Sequence, residues 1–352
     1  MALTTDQHLK AQRSTIHDVA AEAEVSISTV SLVMNDKSGV GSATRDRVLR
    51  VAQRLGYVPT QAARRLALQR TSNIGFVVRE DHFSRSEPFY TRVFLGTEFE
   101  ARLHSFYVLL TTIPTKYSSL EHTPRFLRER NVDGVLIAGK VDSEFIDEVR
   151  ALDLPVVLID YETDTCPAVM IDNQNGARAA VNHLIERGHR HIAFLGAEMD
   201  HPGIRSRQEG YRLALAAANI DALPEWIITS DTGTPTFKTG TELAEQMLDL
   251  APRATAVFCA NDAMALGVLE KARQRGLRVP EDLAVAGFDD VPAAASALPT
   301  LTTVRVFKEQ LGELALRTLV DLMAGEEDEK RSYARSSHSI KLTTELVVRD
   351  ST

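Results

Sequence analysis

The sequence predicts a small all-α head of helix-turn-helix pattern joined to a large α/β body of two doubly wound parallel-sheet lobes. Three observations predict it. Residues 15–35, TIHDVAAEAEVSISTVSLVMN, carry two short apolar stripes at helical spacing around a tight turn. From residue 74 onward, short apolar runs alternate with amphipathic helical stretches, the pattern of parallel sheets. These repeats are too many for one sheet, so two lobes are expected.

Taken in order, residues 1–14 are polar and read as a flexible tail. In the first helix Ile16, Val19, Ala20 and Ala23 share a face; in the second, Val30, Val33 and Met34 do. Val25 is placed to plug the shared core and Ser26 to cap the second helix. Helices this short need a third to bury both stripes. Residues 42–56 supply it, with Val48, Val51, Ala52 and Leu55 inward and Gly56 as the stop. The head is expected to span 15–59. Residues 60–73 hold a run of helix formers too short to persist alone, then a linker. In the body, 74–352, strands are expected at 74–78, 106–110, 134–138, 156–160, 192–196, 226–229, 256–260 and 283–287, and at the end, 341–349. Helices are expected at 91–104, up to 130, and at 143–152, 175–187, 205–219, 239–250, 262–275 and 310–324. The first lobe is expected to take 74–172 and 306–332, the second 173–305 and 333–352. Ligands of such folds sit at the C-terminal ends of the strands, here in a cleft between lobes. The charged run at 326–331 reads as a solvated loop.

The 352 residues suffice for several domains with real cores. No apolar run is long enough to span a membrane, and the polar N-terminus lacks a signal-peptide stretch, so a cytoplasmic protein is expected. The two cysteines, Cys166 and Cys259, fit a reduced compartment and neither metal nor cofactor is expected. Residues 1–70 hold 10 Lys and Arg against 6 Asp and Glu, a net of +4; the remainder holds 30 against 42, a net of −12. A mildly basic head suits a polyanion and an acidic body repels one. Two helices fixed around a tight turn are also the geometry that lays the second in a DNA major groove.

The chain resembles the LacI/GalR family of bacterial transcription regulators. The likeness covers residues 15–350 and rests on the ordered motifs TIHDVAAEAEVSISTVSLVMN, TRDRVLRVAQRLGYVPTQAARRL, IGFVV, VDGVLIAG, LPVVLIDY, NGARAAVNHLIERGHRHIAFLG, RQEGYRLAL, AVFCANDAMALGVLEKARQRGLRVPEDLAVAGFDD and LTTVR. The resemblance implies lobes of periplasmic-binding-protein type. It implies a homodimer on double-stranded palindromic operator DNA, acting as a repressor, with a small-molecule effector, a sugar or sugar derivative, in the cleft. It places Ile27, Ser28 and Leu32 at base-reading positions. Ser28 can hydrogen-bond a base edge, while Ile27 and Leu32 can only meet thymine methyls. Leu32 departs from the arginine common there; its other reading is bundle core. Thr15, Ser26, Thr29, Ser31, Asn35 and Thr44 match positions that hold phosphates, and His17 sits at a groove edge or on plain surface. Glu24 stands where relatives have a turn glycine. Ala62, Ala63 and Leu66 match a hinge helix whose leucine wedges into the minor groove, with Arg64 and Arg65 near the backbone.

For the effector, the resemblance points to Arg207 and Asp289, a charged fork and a carboxylate that can clamp sugar hydroxyls. Asn261 and Asp160, at strand ends, Phe89 and Tyr90, and Arg79 after the first strand complete the expected site. Arg79 and Arg207 leave room for an anionic ligand. The segment 79–87 reads as long and charged, and Thr232 stands where relatives often carry an aromatic. Whether the effector releases DNA or promotes binding stays open. No leucine heptad follows the last strand, so a dimer is expected over a tetramer. The rival readings are a cytosolic sugar-binding protein and a sugar-active enzyme carrying a DNA-binding head. Against an enzyme stand the lack of GxGxxG after the strands at 74–78 and 192–196, and of any P-loop, GxSxG, HExxH or cysteine cluster. His189 and His191 read as surface loop. A transport role conflicts with the head and the missing signal peptide.

Overall fold

A computed structural model describes residues 14–57, 70–83, 89–230, 234–250, 252–325 and 338–352. The chain divides into two units at Ser72/Asn73. In the first, α1 (Ile16–Glu22), α2 (Ile27–Met34) and α3 (Ser42–Arg54) close on a core of Val19, Ala20, Ala23, Val30, Val33, Val48, Val51, Ala52 and Tyr57. Ile16, Val25, Met34 and Leu55 pack on it from the rim. The apolar stripes therefore meet as their spacing dictates. Leu32 is half-buried and stands outside this cluster, so it is not bundle core.

In the second unit the strands are β1 (Asn73–Arg79), β2 (Tyr107–Ile113), β3 (Gly134–Ala138), β4 (Val156–Ile159), β5 (Ala168–Ile171), β6 (Ile192–Ala197), β7 (Ile227–Ser230), β8 (Ala256–Cys259), β9 (Ala284–Ala286), β10 (Thr303–Arg305), β11 (Ser339–Leu342) and β12 (Glu345–Val347). The first sheet runs β11-β5-β4-β3-β1-β2, the second β7-β6-β8-β9, and β10 pairs with β12. Neighbours within the two larger sheets are parallel; β10 and β12 are antiparallel. Bridges at Ala286/Thr302 and Asp289/Arg305 carry β10 along the second sheet. Strands β1, β3, β4 and β5 are buried throughout, as parallel strands covered on both faces must be.

The helices are α4 (Phe89–Leu103), α5 (Ser119–His122), α6 (Arg125–Arg128), α7 (Ser143–Ala151), α8 (Asn173–Glu186), α9 (Pro202–Ala217), α10 (Phe237–Leu248), α11 (Asp262–Gln274), α12 (Pro292–Ser296) and α13 (Lys308–Ala324). They pair as α4 with α13, α8 with α9 and α10 with α11. Each pair is drawn together by glycine. A Cβ on Gly96 would lie 2.0 Å from the Glu309 carbonyl oxygen, one on Gly312 2.0 Å from that of Val93. Gly210 and Gly240 stand within 2.3 Å of backbone oxygens of the partner helix in the same sense.

The structure differs from the expected elements at β5, at β10, at α5 and α6, at the short α12, and at β11. β5 and β10 are strands that the sequence reading does not contain. A single helix expected to end near 130 is two short ones, α5 and α6. Residues 339–342 join the first sheet, against the expectation that 333–352 belong wholly to the second lobe: Ser339 to Leu342 pair in register with Ala168 to Ile171. The chain thus crosses between lobes three times, after β5, after β10 and after β11.

Candidate functional site

In the head, Glu24 takes the left-handed backbone its glycine-like position calls for, φ +53°. The turn survives with a side chain there. Ser26 Oγ accepts from the Thr29 amide at 3.1 Å and lies 2.9 Å from Thr29 Oγ1, so one serine caps α2. Thr15 donates from its amide and hydroxyl to Asp18 Oδ2, at 2.7 and 2.8 Å, which fixes the start of α1. Asn35 Nδ2 donates back to the Ser31 carbonyl at 2.8 Å. Thr15, His17, Ser26, Ile27 and Ser28 are exposed; Thr29, Ser31, Leu32, Asn35 and Thr44 are half-buried. Ile27, a large apolar side chain 42% exposed at the first turn of α2, has no folding reason to face water. Ala62, Ala63 and Leu66 lie outside the described residues.

In the body a cavity of about 190 Å³ opens where the strands of both sheets end. Phe89, Tyr90, Asp160, Arg207, Asn261 and Asp289 all line it, and the fold thus brings together six of the seven expected residues. Asp81, His82, Glu198, His201, Ile204, Thr234, Pro235, Thr236, Ala263 and Val291 complete the wall. Sequence reasoning assigns none of these ten to the site. Asp81 and His82 fall in the charged segment 79–87, part of which, with Thr232, lies outside the described residues.

Three carboxylates follow directly on the last residues of strands or stand close behind them: Asp160 after β4, Glu198 after β6 and Asp289 after β9. All three have left-handed backbone, φ +56°, +53° and +110°. Side-chain-bearing residues rarely hold such angles, and sites of function are where they collect. Arg207 is fully engaged around Asp289. Its Nε donates to Asn173 Oδ1 at 2.8 Å, Nη1 to the Ala260 carbonyl at 2.6 Å, Nη2 lies 3.3 Å from Asp289 Oδ1, and the guanidinium stacks 3.8 Å above Phe288. Lys308 donates to the Asp289 carbonyl. Asn261 both gives and takes, but to protein: Nδ2 to the Pro235 carbonyl at 2.7 Å, Oδ1 from the Met264 amide at 2.9 Å. It caps α11 while tethering the 234–236 wall.

Asp160 receives Tyr90 Oη at 3.2 Å on Oδ2, and its Oδ1 has no hydrogen-bond partner, as Asp289 Oδ1 has none. Burial pushes the Asp160 carboxyl up to about 6, against the pull of Arg207. Burial likewise raises Asp289, opposed by Arg207 and Lys308. His201 is driven down to about 4 by burial, so it is neutral at pH 7. Asp290, next to Asp289, is engaged elsewhere, tying Arg305 at 2.7 Å and Arg349 at 2.6 Å.

One expectation needs correction. Arg79 does not line the cavity; its guanidinium is held by Asp81, His82 and Glu198. Both arginines are matched by carboxylates, Arg79 by Asp81 and Glu198 and Arg207 by Asp289, and the open Asp160 Oδ1 is an acceptor.

The pattern agrees with known proteins. Residues 15–60 match the model of the bacterial regulatory proteins of the lacI family, and 181–352 that of the periplasmic binding protein-like domain. Catabolite control protein A of Priestia megaterium is 34% identical over 313 residues, 88% of this chain and 92% of that protein. The solved complex of transcriptional regulator CelR with cellobiose is 34% identical with a TM-score of 0.70, covering 97% of this chain and all of the other. The lac repressor dimer bound to operator and the anti-inducer ONPF is 27% identical with a TM-score of 0.77, covering 97% and 99%. Head, cleft and relatives converge: the chain belongs to the LacI family of bacterial transcription regulators.

Proposed function

We propose that this regulator acts as a repressor, binding a palindromic operator as a homodimer through paired heads and releasing or gaining it as a small carbohydrate enters the cleft. The observation that carries the effector half is the buried Asp160 Oδ1 of one lobe, which has no hydrogen-bond partner, facing the cavity with the Asp289 carboxylate of the other lobe, which Arg207 holds. Buried acceptors without donors are costly, and hydroxyl groups supply donors. A ligand touching both lobes favours one closure over the other and so transmits its binding energy to the heads. Cellobiose in the CelR complex supports a carbohydrate, and the operator-bound lac repressor dimer supports the two-headed arrangement. The exposed Ile27, Ser28 and half-buried Leu32 support α2 as the reading helix.

Selection of genomic fragments on the purified protein tests this, with and without a panel of neutral sugars. The expected result is one enriched palindrome whose occupancy a sugar changes. Leu66→Ala is expected to weaken operator binding while leaving the sugar-induced thermal shift intact. No enriched site under any panel condition, with folded dimer in hand, overturns the reading.

A further inference from the structure

Residues 198–201, which follow β6 in the second lobe, reach the first lobe at three points. Glu198 Oε1 accepts from Arg79 Nη2 at 2.8 Å and lies 3.4 Å from His82 Nε2. Asp200 pairs with Lys140, just past β3. His201 Nε2 stands 4.0 Å from Asp160 Oδ2, at the end of β4. One four-residue stretch thus meets the ends of β1, β3 and β4 in turn.

The stretch is built to present these groups together. The His201 amide donates to the Glu198 carbonyl at 2.8 Å, closing a tight turn. His201 Nδ1 in turn accepts from the Gly203 amide at 3.1 Å and caps α9, so the turn is seated on a long helix. The Arg79, His82 and Glu198 side chains are 11%, 10% and 14% exposed, which protects their charges from screening. Burial alone pushes the Glu198 carboxyl up, but His82 and Arg79 more than offset it and hold it at about 2. Parting the lobes strands nothing: Arg79 keeps Asp81 of its own lobe, and Glu198 returns to water.

We propose that Glu198 and Asp200 form an electrostatic clasp that holds the lobes together and must part for an effector to enter. Glu198 and His201 also form part of the cavity wall, facing His82 and Asp160, so the clasp and the ligand act on the same surface. The clasp favours the closure that a ligand touching both lobes favours. It therefore sets how much of the effector's binding energy remains to move the heads. That regulatory consequence rests on the function proposed above; the clasp itself does not.

The test is a distance measurement on the full chain. Spin labels at Ser143→Cys and Lys238→Cys, exposed at the starts of α7 and α10, report the gap between lobes, while native Cys166 and Cys259 are buried. Without sugar at low salt, the otherwise unaltered protein is expected to give one short distance. Glu198→Gln with Asp200→Asn is expected to add a longer population. Because that pair could disturb folding, the surface pair is also reversed. Lys140→Glu is expected to lengthen the distance and Lys140→Glu with Asp200→Lys to restore it. Distances that stay the same in all these variants overturn the clasp, whatever operator binding does, and a clasp without operator binding counts against the regulatory reading alone.

Discussion

Asp160 shows a site residue held at a cost to the fold. Its carboxyl ionises at about 6 in the folded chain against 3.8 as the ordinary value. Between those values the native protein holds a proton the unfolded chain has lost, so stability falls as pH rises through that window and stays lower above it. A gap of roughly two between the folded and unfolded values corresponds to about 3 kcal/mol. Asp160→Asn removes the charge, keeps a partner for Tyr90 Oη and tolerates the left-handed backbone. It is expected to melt higher than the parent at pH 8, by up to about 3 kcal/mol, with the gain fading by pH 4, and to lose the sugar response. Calorimetry at the two pH values checks this. A variant no more stable at pH 8 would mean the carboxylate is better paired than its open Oδ1 indicates. The residue also marks how far the sequence could be read. Strand-end position singles out Asp160 and Asn261, and the family resemblance Asp289 and Arg207. Glu198 and His201 were invisible, because their role depends on a turn from one lobe meeting three loops of the other. Arg79, which at a strand end fits a pocket residue or a salt bridge equally, is settled as an ion pair only once its cross-lobe carboxylate is seen.

At the scale of elements, the alternation of apolar runs and helical stripes located most strands and helices, because each must bury a face of fixed period. β5 escaped because Ala168-Val-Met-Ile171 is only four residues long and half of them have little strand preference. β11 was assigned to the wrong lobe because nothing local in Ser-Ile-Lys-Leu says which sheet edge it joins; pairing partner is a property of the whole topology. The helix pairs carry information that periodicity does not. Gly312 of α13 meets the Val93 carbonyl of α4, and Gly96 of α4 meets that of Glu309, so the two helices touch backbone to backbone along the first sheet. A methyl at 312 would have to push a rigid carbonyl aside. Overpacking of that kind costs about 1–3 kcal/mol and outweighs the roughly 1 kcal/mol that alanine gains in helix preference. Gly312→Ala is therefore expected to lower the urea midpoint of the body without altering its slope, whereas a midpoint that rises would show that the helices can part without loss.

For the molecule as a whole, the dimer proposed above would hold two heads at one spacing, and the first lobe carries a surface suited to that. Leu95, Phe99 and Leu103 stand at successive four-residue steps on α4, 41%, 54% and 77% exposed, beside Tyr107 and Leu110 on the edge strand β2. An apolar stripe next to an open sheet edge is a liability for a monomer. A second copy of the same surface covers both at once through two-fold symmetry, the symmetry a palindrome requires. The acidic body, net −12 over residues 71–352, adds nothing to DNA affinity, so in the proposed dimer selectivity would depend on bringing both mildly basic heads to one site. Phe99→Glu places a charge at the centre of the stripe, where its twin in the other subunit would face it. It is expected to sediment as a monomer at micromolar concentration, with an unchanged circular dichroism spectrum, and to bind the operator at least about 100-fold more weakly, since each half-site is then held alone. Sugar binding, which needs one body only, should persist. A Phe99→Glu protein that still sediments as a dimer places the subunit contact elsewhere on the body, while a monomer that keeps full operator affinity removes the need for paired heads.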